Sequence, residues 1–485
     1  MLTSKEPRQS ERVSTGIQGL DEITRGGFLP NRTYMLRGGA GTGKTTLGAH
    51  FLKQGAIQGE EVLYITLGEP EEQIRTDAGS RGIDLSGVHF LDLSPDQEYF
   101  AQRESYDIFS SAEVENDPIT QKIVDTVGEL QPRRVVVDAM TQLRYLSSDQ
   151  HQFRKQSLSF FRFLSDNGAT VLFLSEDSPD APDHDLRFMS DGVISLSLKS
   201  NGRSISISKF RGSGFKSGVH HMHSGDQGMV VYPILDPGEH CVEFEHEILS
   251  SGVPELDKLM HGGVERGAPT IITGPSGVGK TTLGLLFMKE AASRGERSVV
   301  YSFEESPDAL LNRSEAINIP LRKMMEQGRF ALNSIEPLHY SPDEFAWQVR
   351  EEVEKQGARI VMLDSLSGYQ IDLGSDQLLP YIHALSSYLS NMGVTFFLIN
   401  EVEYITGDFR ATEKGLSYLA DTIIVLRFLE MYGSMRKAIG VLKKRRSDFE
   451  KTLRGFEITP YGVEVSEPLT GMQGILSGVP DTKKE

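Results

Sequence analysis

The sequence predicts an α/β protein built from two tandem copies of one domain, and three observations support this. The chain has 485 residues, a length typical of two or three domains. Several motifs recur in the same order, displaced by 236 residues. Short apolar runs alternate with helical patterns throughout, as in mainly parallel sheets covered by helices on both faces.

The repeat is clearest near the start of each copy. The sequence STGIQGLD at residues 14–21 returns as SSGVPELD at residues 250–257, and the glycine pair at 26–27 returns at 262–263. This period is far too long for a solenoid repeat, so each copy is a whole domain. We place the boundary near Asp236, which gives domains at residues 1–236 and 237–485.

The predicted strands are buried runs such as VLYITL, RVVVDA, TVLFLS and GVISLSL in the first copy, and SVVYSF, RIVMLD, TFFLIN and TIIVLR in the second. The offset falls from 236 to 226 at the aspartates Asp138 and Asp364. The first copy should therefore carry extra residues between about 90 and 130. The segment SPDQEYFAQRESYDIFSSAEVENDP is polar and rich in turn formers, so we expect an inserted loop there.

Each copy contains the phosphate-binding sequence G-x-x-x-x-G-K-[ST] between a predicted strand and a predicted helix. Glycines there allow backbone N–H groups to surround a phosphate, and the helix N-terminus adds positive potential. Two such loops in register predict that the chain binds nucleotide. The predicted nucleotide-binding residues are Gly38, Gly39, Ala40, Gly41, Thr42, Gly43, Lys44, Thr45 and Thr46, and Gly274, Pro275, Ser276, Gly277, Val278, Gly279, Lys280, Thr281 and Thr282.

The residue types within and after these loops also predict a Mg²⁺ site in each copy. The loop lysine reaches the β- and γ-phosphate oxygens, and the hydroxyls of Thr45 and Thr281 would coordinate the ion. Asp138 and Asp364 follow buried strands and would hold the ion through water. A strand-end aspartate can also serve only as a turn or cap residue, and this alternative stays open.

Hydrolysis requires a group that activates water near the γ-phosphate. Glu304 and Glu305 lie at the end of the strand after the second phosphate-loop helix, and Glu69 matches Glu305 in the first copy. Gly68 stands where the second copy has Glu304, so the two sites should differ in catalytic strength. A solvated acidic loop is the alternative explanation for these carboxylates.

With its tandem loops, its S-[ST]-G-x-x-x-L-D motifs, its glutamates and two K-x-R sequences, the chain resembles the KaiC family of circadian clock ATPases. That family belongs to the RecA-like superfamily, so the resemblance implies two RecA-like P-loop domains. It further implies a homohexamer of two stacked rings, with ATP between neighbouring subunits. It maps the catalytic glutamates onto Glu304, Glu305 and Glu69, and places four cations at the neighbour's γ-phosphate: Lys209, Arg211, Lys443 and Arg445.

The second domain of KaiC phosphorylates itself on an adjacent Ser-Thr pair. Alignment at Asp421 puts Ser417 and Tyr418 at those positions, and Thr412 aligns with a further phosphosite. The resemblance therefore implies serine autokinase and autophosphatase activity at Ser417, with Glu304 as the base. An unmodified surface Ser-Tyr pair is the alternative.

Composition and resemblance together limit the partners. The chain has 50 Lys+Arg and 68 Asp+Glu, a formal charge of −18, so we do not expect nucleic acid as a partner. No run of about 18 apolar residues is present, and we expect a cytoplasmic protein. A KaiB-like or other signalling protein is the expected partner. The family's longer carboxy-terminal tail engages KaiA, so KaiA binding is not expected here.

Two other classes of protein remain open at this stage: a RecA-like recombinase or helicase motor, and a nucleotide-gated scaffold. Three further features are given structural roles. We expect Cys241 to be a small, partly buried side chain and Trp347 to pack on its helix. We assign no metal to the histidines at 220, 221 and 223, because no carboxylate or cysteine pattern accompanies them.

Overall fold

The computed structural model divides into two compact units, Met1–Ile234 and Leu235–Glu485. Among the described residues, each unit contains one nine-stranded sheet with helices packed against it. No helix in this part of the chain is long and apolar enough to cross a membrane. The described residues are 11–95, 112–145, 150–177, 183–200, 202–336, 340–373, 378–402, 416–431, 433–470, 472–473 and 481–482.

The sheet of the first unit has the strand order β3-β2-β4-β5-β1-β6-β7-β8-β9. The first six strands of this order are parallel, and β7 to β9 extend the sheet as antiparallel strands. The strands are β1 Thr33–Gly38, β2 Val62–Thr66, β3 His89–Asp92, β4 Arg134–Asp138, β5 Thr170–Glu176, β6 Gly192–Lys199, β7 Gly202–Phe210, β8 Val219–Gly225 and β9 Gly228–Tyr232. The helices are α1 Gln18–Ile23, α2 Lys44–Ile57, α3 Glu71–Gly79, α4 Ala112–Leu130, α5 Met140–Tyr145, α6 Gln150–Asp166 and α7 His184–Met189.

The second unit repeats this topology, with the order β14-β13-β15-β16-β12-β17-β18-β19-β20. Two short strand pairs, β10 with β11 and β21 with β22, lie outside the main sheet. The strands are β10 Ile248–Leu249, β11 Val264–Glu265, β12 Pro269–Gly274, β13 Arg297–Ser302, β14 Phe330–Ser334, β15 Ala358–Asp364, β16 Thr395–Glu401, β17 Thr422–Met431, β18 Ser434–Lys444, β19 Arg454–Thr459, β20 Gly462–Pro468, β21 Met472–Gln473 and β22 Asp481–Thr482. The helices are α8 Pro254–Leu259, α9 Lys280–Ser293, α10 Pro307–Glu315, α11 Leu321–Glu326, α12 Pro342–Glu354, α13 Leu366–Leu373 and α14 Leu378–Asn391.

The central strands are buried on both faces, which explains their nearly continuous apolar sequences. On β1, Met35 and Leu36 are fully buried and belong to separate core clusters on opposite sides of the sheet. Adjacent side chains on a strand point to opposite faces, so each face is covered by its own layer of helices. The predicted fold class, two tandem RecA-like α/β domains, is confirmed.

The repeated motif before each phosphate loop is a hydrogen-bonded turn. Asp21 accepts hydrogen bonds from the Ser14 hydroxyl at 2.6 Å and from the Thr15 amide at 2.8 Å. Asp257 makes the same bonds in the second unit, to Ser250 at 2.5 Å and to the Ser251 amide at 2.8 Å. The motif thus fixes the entry to the domain and contributes no side chain to the phosphate loop.

The extra residues of the first unit do not form only a loop. The chain is helical from Ala112, so α4 has 19 residues whereas its counterpart α12 has 13. The loop prediction is therefore wrong for residues 112–118. Of the rest of that segment, residues 94–95 lie outside any helix or strand, and residues 96–111 lie outside the described part of the chain.

Three side chains given structural roles from sequence can now be placed. Cys241 is exposed, in a stretch after the boundary that packs few side chains, so the expectation of partial burial is wrong. His220 is buried; its Nδ1 accepts a hydrogen bond from the Ile234 amide at 3.0 Å, and its Nε2 lies 3.2 Å from the carbonyl oxygen of Lys216. Trp347 lies on α12, with the Arg350 guanidinium 5.2 Å from its ring centroid.

Candidate nucleotide-binding sites

Both predicted phosphate loops connect a central strand to the N-terminus of a long helix. In the first unit the loop runs from Gly38, the last residue of β1, to Lys44, the first residue of α2. The second loop joins β12 to α9 in the same way. The residue before each helix is a glycine in the left-handed region, Gly43 with φ of 102° and Gly279 with φ of 115°. A Cβ atom at Gly279 would also lie only 2.7 Å from the Ile458 side chain, so glycine is required there.

The loop lysines point back into their own loops. Lys44 Nζ donates to the carbonyl oxygens of Gly38 and Gly39, both at 2.9 Å, and Lys280 Nζ donates to the Pro275 carbonyl oxygen at 2.9 Å. Burial lowers the pKa of both lysines from the ordinary value. An anion entering the loop would relieve this, because a negative charge favours the protonated lysine.

The predicted metal-side pairs are in direct contact in both units. Thr45 Oγ1 donates to Asp138 Oδ2 at 3.1 Å, and Thr281 Oγ1 donates to Asp364 Oδ2 at 2.7 Å. Burial raises the pKa of each aspartate above the ordinary value. In each unit the carboxylate therefore faces the first turn of its own phosphate-loop helix. There the carboxylate and the threonine hydroxyl form a pair of oxygen ligands suited to one cation.

A tyrosine that the sequence analysis did not single out completes the first of these pairs. Tyr64, fully buried on β2, donates its hydroxyl hydrogen to Asp138 Oδ2 at 2.7 Å. Burial and the neighbouring Asp138 carboxylate raise the pKa of Tyr64 well above the ordinary value. The second unit has Val300 at the matching register position, so its aspartate lacks this donor.

Two further glutamates at the strand ends were also missed. Glu176 ends β5 directly beside Gly38, and Glu401 ends β16 directly beside Gly274. Glu401 Oε2 lies 3.7 Å from Lys280 Nζ. A signal for them is present in the sequence, since each acid ends an apolar strand in the same manner as Asp138 and Asp364.

In the second unit these groups line one cavity of about 500 Å³. The hydroxyl of Ser365 donates a hydrogen bond to Glu304 Oε1, which holds that carboxylate in the cavity wall. The Glu305 carboxylate instead forms an ion pair with Arg313 at 2.6 Å. The polar residues of the cavity wall include Lys280, Thr281, Glu304, Glu305, Arg313, Asp364, Ser365 and Glu401.

The corresponding strand end of the first unit has a different charge arrangement. Gly68 carries no side chain, and Glu69 has no arginine partner at the position of Arg313, where Asp77 stands. Burial, followed by the charges of Asp138 and Asp77, raises the pKa of Glu69 above its ordinary value. The two sites thus differ in two respects: the first lacks the carboxylate that Glu304 supplies in the second, and its Glu69 lies in a more acidic surrounding than Glu305.

In each unit the K-x-R lysine lies near the end of an antiparallel strand, β7 or β18, and the arginine follows that strand. The side chains of both residues contact their own chain. Lys209 Nζ donates to three carbonyl oxygens near the end of α7, those of Arg187, Phe188 and Ser190, at 2.5–3.1 Å. Its guanidinium companion, Arg211, is half exposed, 3.9 Å from Asp191.

The second unit repeats this arrangement around a 3₁₀ turn, Leu416–Tyr418. Lys443 Nζ donates to the carbonyl oxygens of Ser417 at 2.7 Å and Ala420 at 2.6 Å, and Arg445 donates to that of Tyr418 at 3.1 Å. Ser417 and Tyr418 are both exposed on this turn. Thr412 lies outside the described residues. The role of these cations at a neighbour's phosphate stays a prediction.

Two phosphate loops, each followed by a half-buried strand-end aspartate that accepts a hydrogen bond from the loop threonine, define the class: a tandem P-loop protein with two RecA-like domains. The family model for the KaiC ATPase matches residues 13–236 and again residues 249–470. The chain belongs to the KaiC family, and the resemblance noted from its motifs is confirmed.

Curated relatives match almost from end to end. The circadian clock oscillator protein KaiC of Acaryochloris marina is 26% identical over 97% of this chain and 91% of its own length. The corresponding protein of Picosynechococcus sp. is 27% identical over 97% of this chain and 92% of its own length. The circadian clock protein KaiC3 of Synechocystis sp. is 26% identical over 99% of this chain and 96% of its own length. The family supports ATPase activity for this chain.

Proposed function

We propose that this chain is a signalling or timing ATPase that assembles as a homohexamer and hydrolyses Mg-ATP at both phosphate loops, with each nucleotide bound between neighbouring subunits. The observation that carries the proposal is the threonine–aspartate pair at each loop, Thr45 with Asp138 and Thr281 with Asp364. Arg211 and Arg445 support the assembly, because both guanidinium groups are half exposed and can still contact a neighbouring subunit.

The donor set suits Mg²⁺, which prefers hydroxyl and carboxylate oxygens. Thr281 and Asp364 would hold the ion in the second unit, and Thr45 and Asp138 in the first. Held by these residues, Mg²⁺ would offset the negative charge of the bound phosphate groups. Burial disfavours the charged form of Asp138 and Asp364, and a cation at these positions would offset that penalty.

The residues of the second site divide the work of hydrolysis. Lys280 neutralises the phosphate oxygens from inside the loop, where burial makes its charge costly without an anion. Glu304, which the Ser365 hydroxyl holds in position, takes the proton of the attacking water. The water oxygen bonds to the γ-phosphorus as the bond to the bridging oxygen breaks, and ADP and phosphate leave.

Native mass spectrometry with ATP and Mg²⁺ tests this proposal, because it reports subunit number and bound nucleotide together. We expect hexamers carrying two nucleotides per chain. Lys280→Ala should remove one nucleotide per chain. Lys289→Ala, at a half-buried lysine on the same helix whose Nζ donates to the Asn318 carbonyl oxygen, should leave both nucleotides bound. Monomers that bind two nucleotides would contradict the assembly. Tight, salt-dependent binding of single-stranded DNA with stimulated turnover would favour a DNA motor instead.

We also propose that Ser417 accepts phosphate from a neighbouring subunit's ATP. Lys443, expected at that ATP, donates to the Ser417 carbonyl oxygen at 2.7 Å, so the exposed residue Ser417 is in direct contact with this cation. The Ser417 hydroxyl oxygen would bond to the γ-phosphorus while the bond to ADP breaks, and the hydroxyl proton would pass to Glu304 of the neighbouring subunit that holds the ATP. Intact-mass measurement after incubation with Mg-ATP should show one added phosphate. Ser417→Ala should abolish it and Ser434→Ala should not; an unchanged mass for the unsubstituted protein would refute the proposal.

A further inference from the structure

The two sites differ in a coordinated way at three positions. In each unit the strand after the phosphate-loop helix pairs in register with the strand that ends in the metal-side aspartate, Thr66 with Asp138 and Ser302 with Asp364. From these pairs, Gly68 matches Glu304 and Ala139 matches Ser365. Four residues after each aspartate, Gln142 matches Gly368.

In the second site these positions form one packed arrangement. Glu304 accepts the Ser365 hydroxyl hydrogen, as described above. Gly368 lies against Phe303, and a Cβ atom on Gly368 would come within 2.4 Å of the Phe303 Cβ. A side chain at position 368 would therefore clash with Phe303, the residue before Glu304. The second site thus combines a carboxylate at the strand end with a glycine on the facing helix turn.

The first site reverses this distribution. Gly68 has no side chain, and a Cβ atom placed on it would have Gln142 Nε2 at 3.8 Å and Gln142 Cγ at 4.0 Å as its nearest neighbours. The Gln142 amide thus lies beside the backbone position from which Glu304 extends in the second site. Ala139 stands where the second site has Ser365, so the first site lacks both the carboxylate and the hydroxyl that donates to it.

Gln142 is exposed on α5, whose first residues follow the metal-side Asp138 directly. Its backbone amide donates to the Ala139 carbonyl oxygen at 3.0 Å, which ties this turn to the strand end. The side-chain amide is accordingly presented at the carboxyl end of β4, next to the same strand end that carries the carboxylate in the second unit.

We propose that Gln142 is the water-positioning residue of the first nucleotide site. The inference rests on the proposed hydrolysis there. Its amide oxygen accepts a hydrogen bond from the attacking water, and its NH₂ group donates to a γ-phosphate oxygen, a role that glutamine fills in other P-loop enzymes. The water oxygen bonds to the γ-phosphorus as the β–γ bridging bond breaks. The amide cannot hold the released proton, which passes to a phosphate oxygen; ADP and inorganic phosphate leave.

The test isolates the first site in a Glu304→Gln protein. In that background Gln142→Met, which keeps the side-chain length without the amide, should lower single-turnover ATP cleavage by about 10- to 100-fold, the cost of a misplaced reactant. ATP affinity, measured with a fluorescent ATP analogue, should stay within about twofold because the lysine and threonine contacts remain. Gln73→Ala, an exposed glutamine on α3 of the same unit, should leave both values unchanged.

A rescue separates positioning from packing. Adding Gly68→Glu and Ala139→Ser to the Glu304→Gln/Gln142→Ala protein recreates the second site's carboxylate, and turnover should return. Unchanged turnover in Gln142→Met and Gln142→Ala would overturn the assignment while leaving hydrolysis at this site intact. A Glu304→Gln protein that binds ATP at the first site without cleaving it would contradict hydrolysis there and overturn the assignment with it.

Discussion

Replacing Glu304 with glutamine tests the chemistry of the second site most directly. The amide oxygen of glutamine can still accept the Ser365 hydrogen bond, so the side chain keeps its position and loses only its ability to take a proton. Positioned general bases contribute about 10²- to 10⁴-fold to rate, which corresponds to roughly 3–5 kcal/mol of barrier. We therefore expect second-site cleavage to fall by at least about 100-fold.

Glu305→Gln is the matched control, because it removes the adjacent carboxylate. Glu305 is paired with Arg313, and both side chains are substantially exposed, at 30% and 45%. An ion pair of this kind contributes about 1 kcal/mol or less, so turnover should change by less than about fivefold. The sequence assigned both glutamates to catalysis, and this comparison separates them.

Phosphate release under single-turnover conditions, together with equilibrium ATP binding, distinguishes loss of chemistry from loss of substrate. Glu304→Gln should keep wild-type ATP affinity, and its residual steady-state rate should equal that of the first site. Nearly full turnover in Glu304→Gln, or a larger loss in Glu305→Gln, would refute the assignment of Glu304 as the base.

Three other substitutions have defined outcomes. Thr281→Val should weaken ATP binding by more than about 10-fold in Mg²⁺ and much less in EDTA, because it removes a metal-side hydroxyl; equal losses in both would count against the Mg²⁺ site. Tyr64→Phe should lower the free energy of unfolding by about 1–3 kcal/mol in denaturant titration, since a buried donor to Asp138 is lost. His50 accepts a hydrogen bond from the Met229 amide, and burial lowers its pKa from 6.5 to about 4. The unfolded chain therefore gains its proton first, and stability falls as pH drops from 6.5 towards 4. At pH 5.5 the loss should be about 1.4 kcal/mol relative to pH 7.5, absent in His50→Gln and retained in the exposed-histidine variant His223→Gln.

Much of the fold followed from sequence because a duplicated domain displays its own alignment. The offset located the phosphate loops, and buried parallel strands are written as uninterrupted apolar runs such as RVVVD and ARIVMLD. Asp138 and Asp364 could be singled out because each is the last residue of an apolar strand; their contact with the loop threonines is observed, and their role at a metal ion stays a prediction. The helix that begins at Ala112 was missed because its first turns contain polar and turn-forming residues.

The parts of the site that escaped prediction depend on contacts between distant segments. Tyr64 and Asp138 lie on neighbouring strands 74 residues apart, and nothing in the spacing of either residue indicates a hydrogen bond. Gln142 lies near Gly68 only because β2 and β4 are adjacent in the sheet. Strand order decides these pairs, and strand order was not available from motif spacing.

The hydrogen bonds of Lys209 have a consequence for any ligand that approaches this strand end. Three backbone carbonyl oxygens, from Arg187, Phe188 and Ser190, share this one ammonium group as a donor. Burial lowers the pKa of Lys209, which means that the charged form is disfavoured. An anion would stabilise the ammonium charge more than the neutral carbonyl oxygens do. An anion that draws the ammonium away removes this donor from the three carbonyl oxygens at the carboxyl end of α7. Binding at this cation would thus be transmitted to a helix end without any contact between that helix and the ligand.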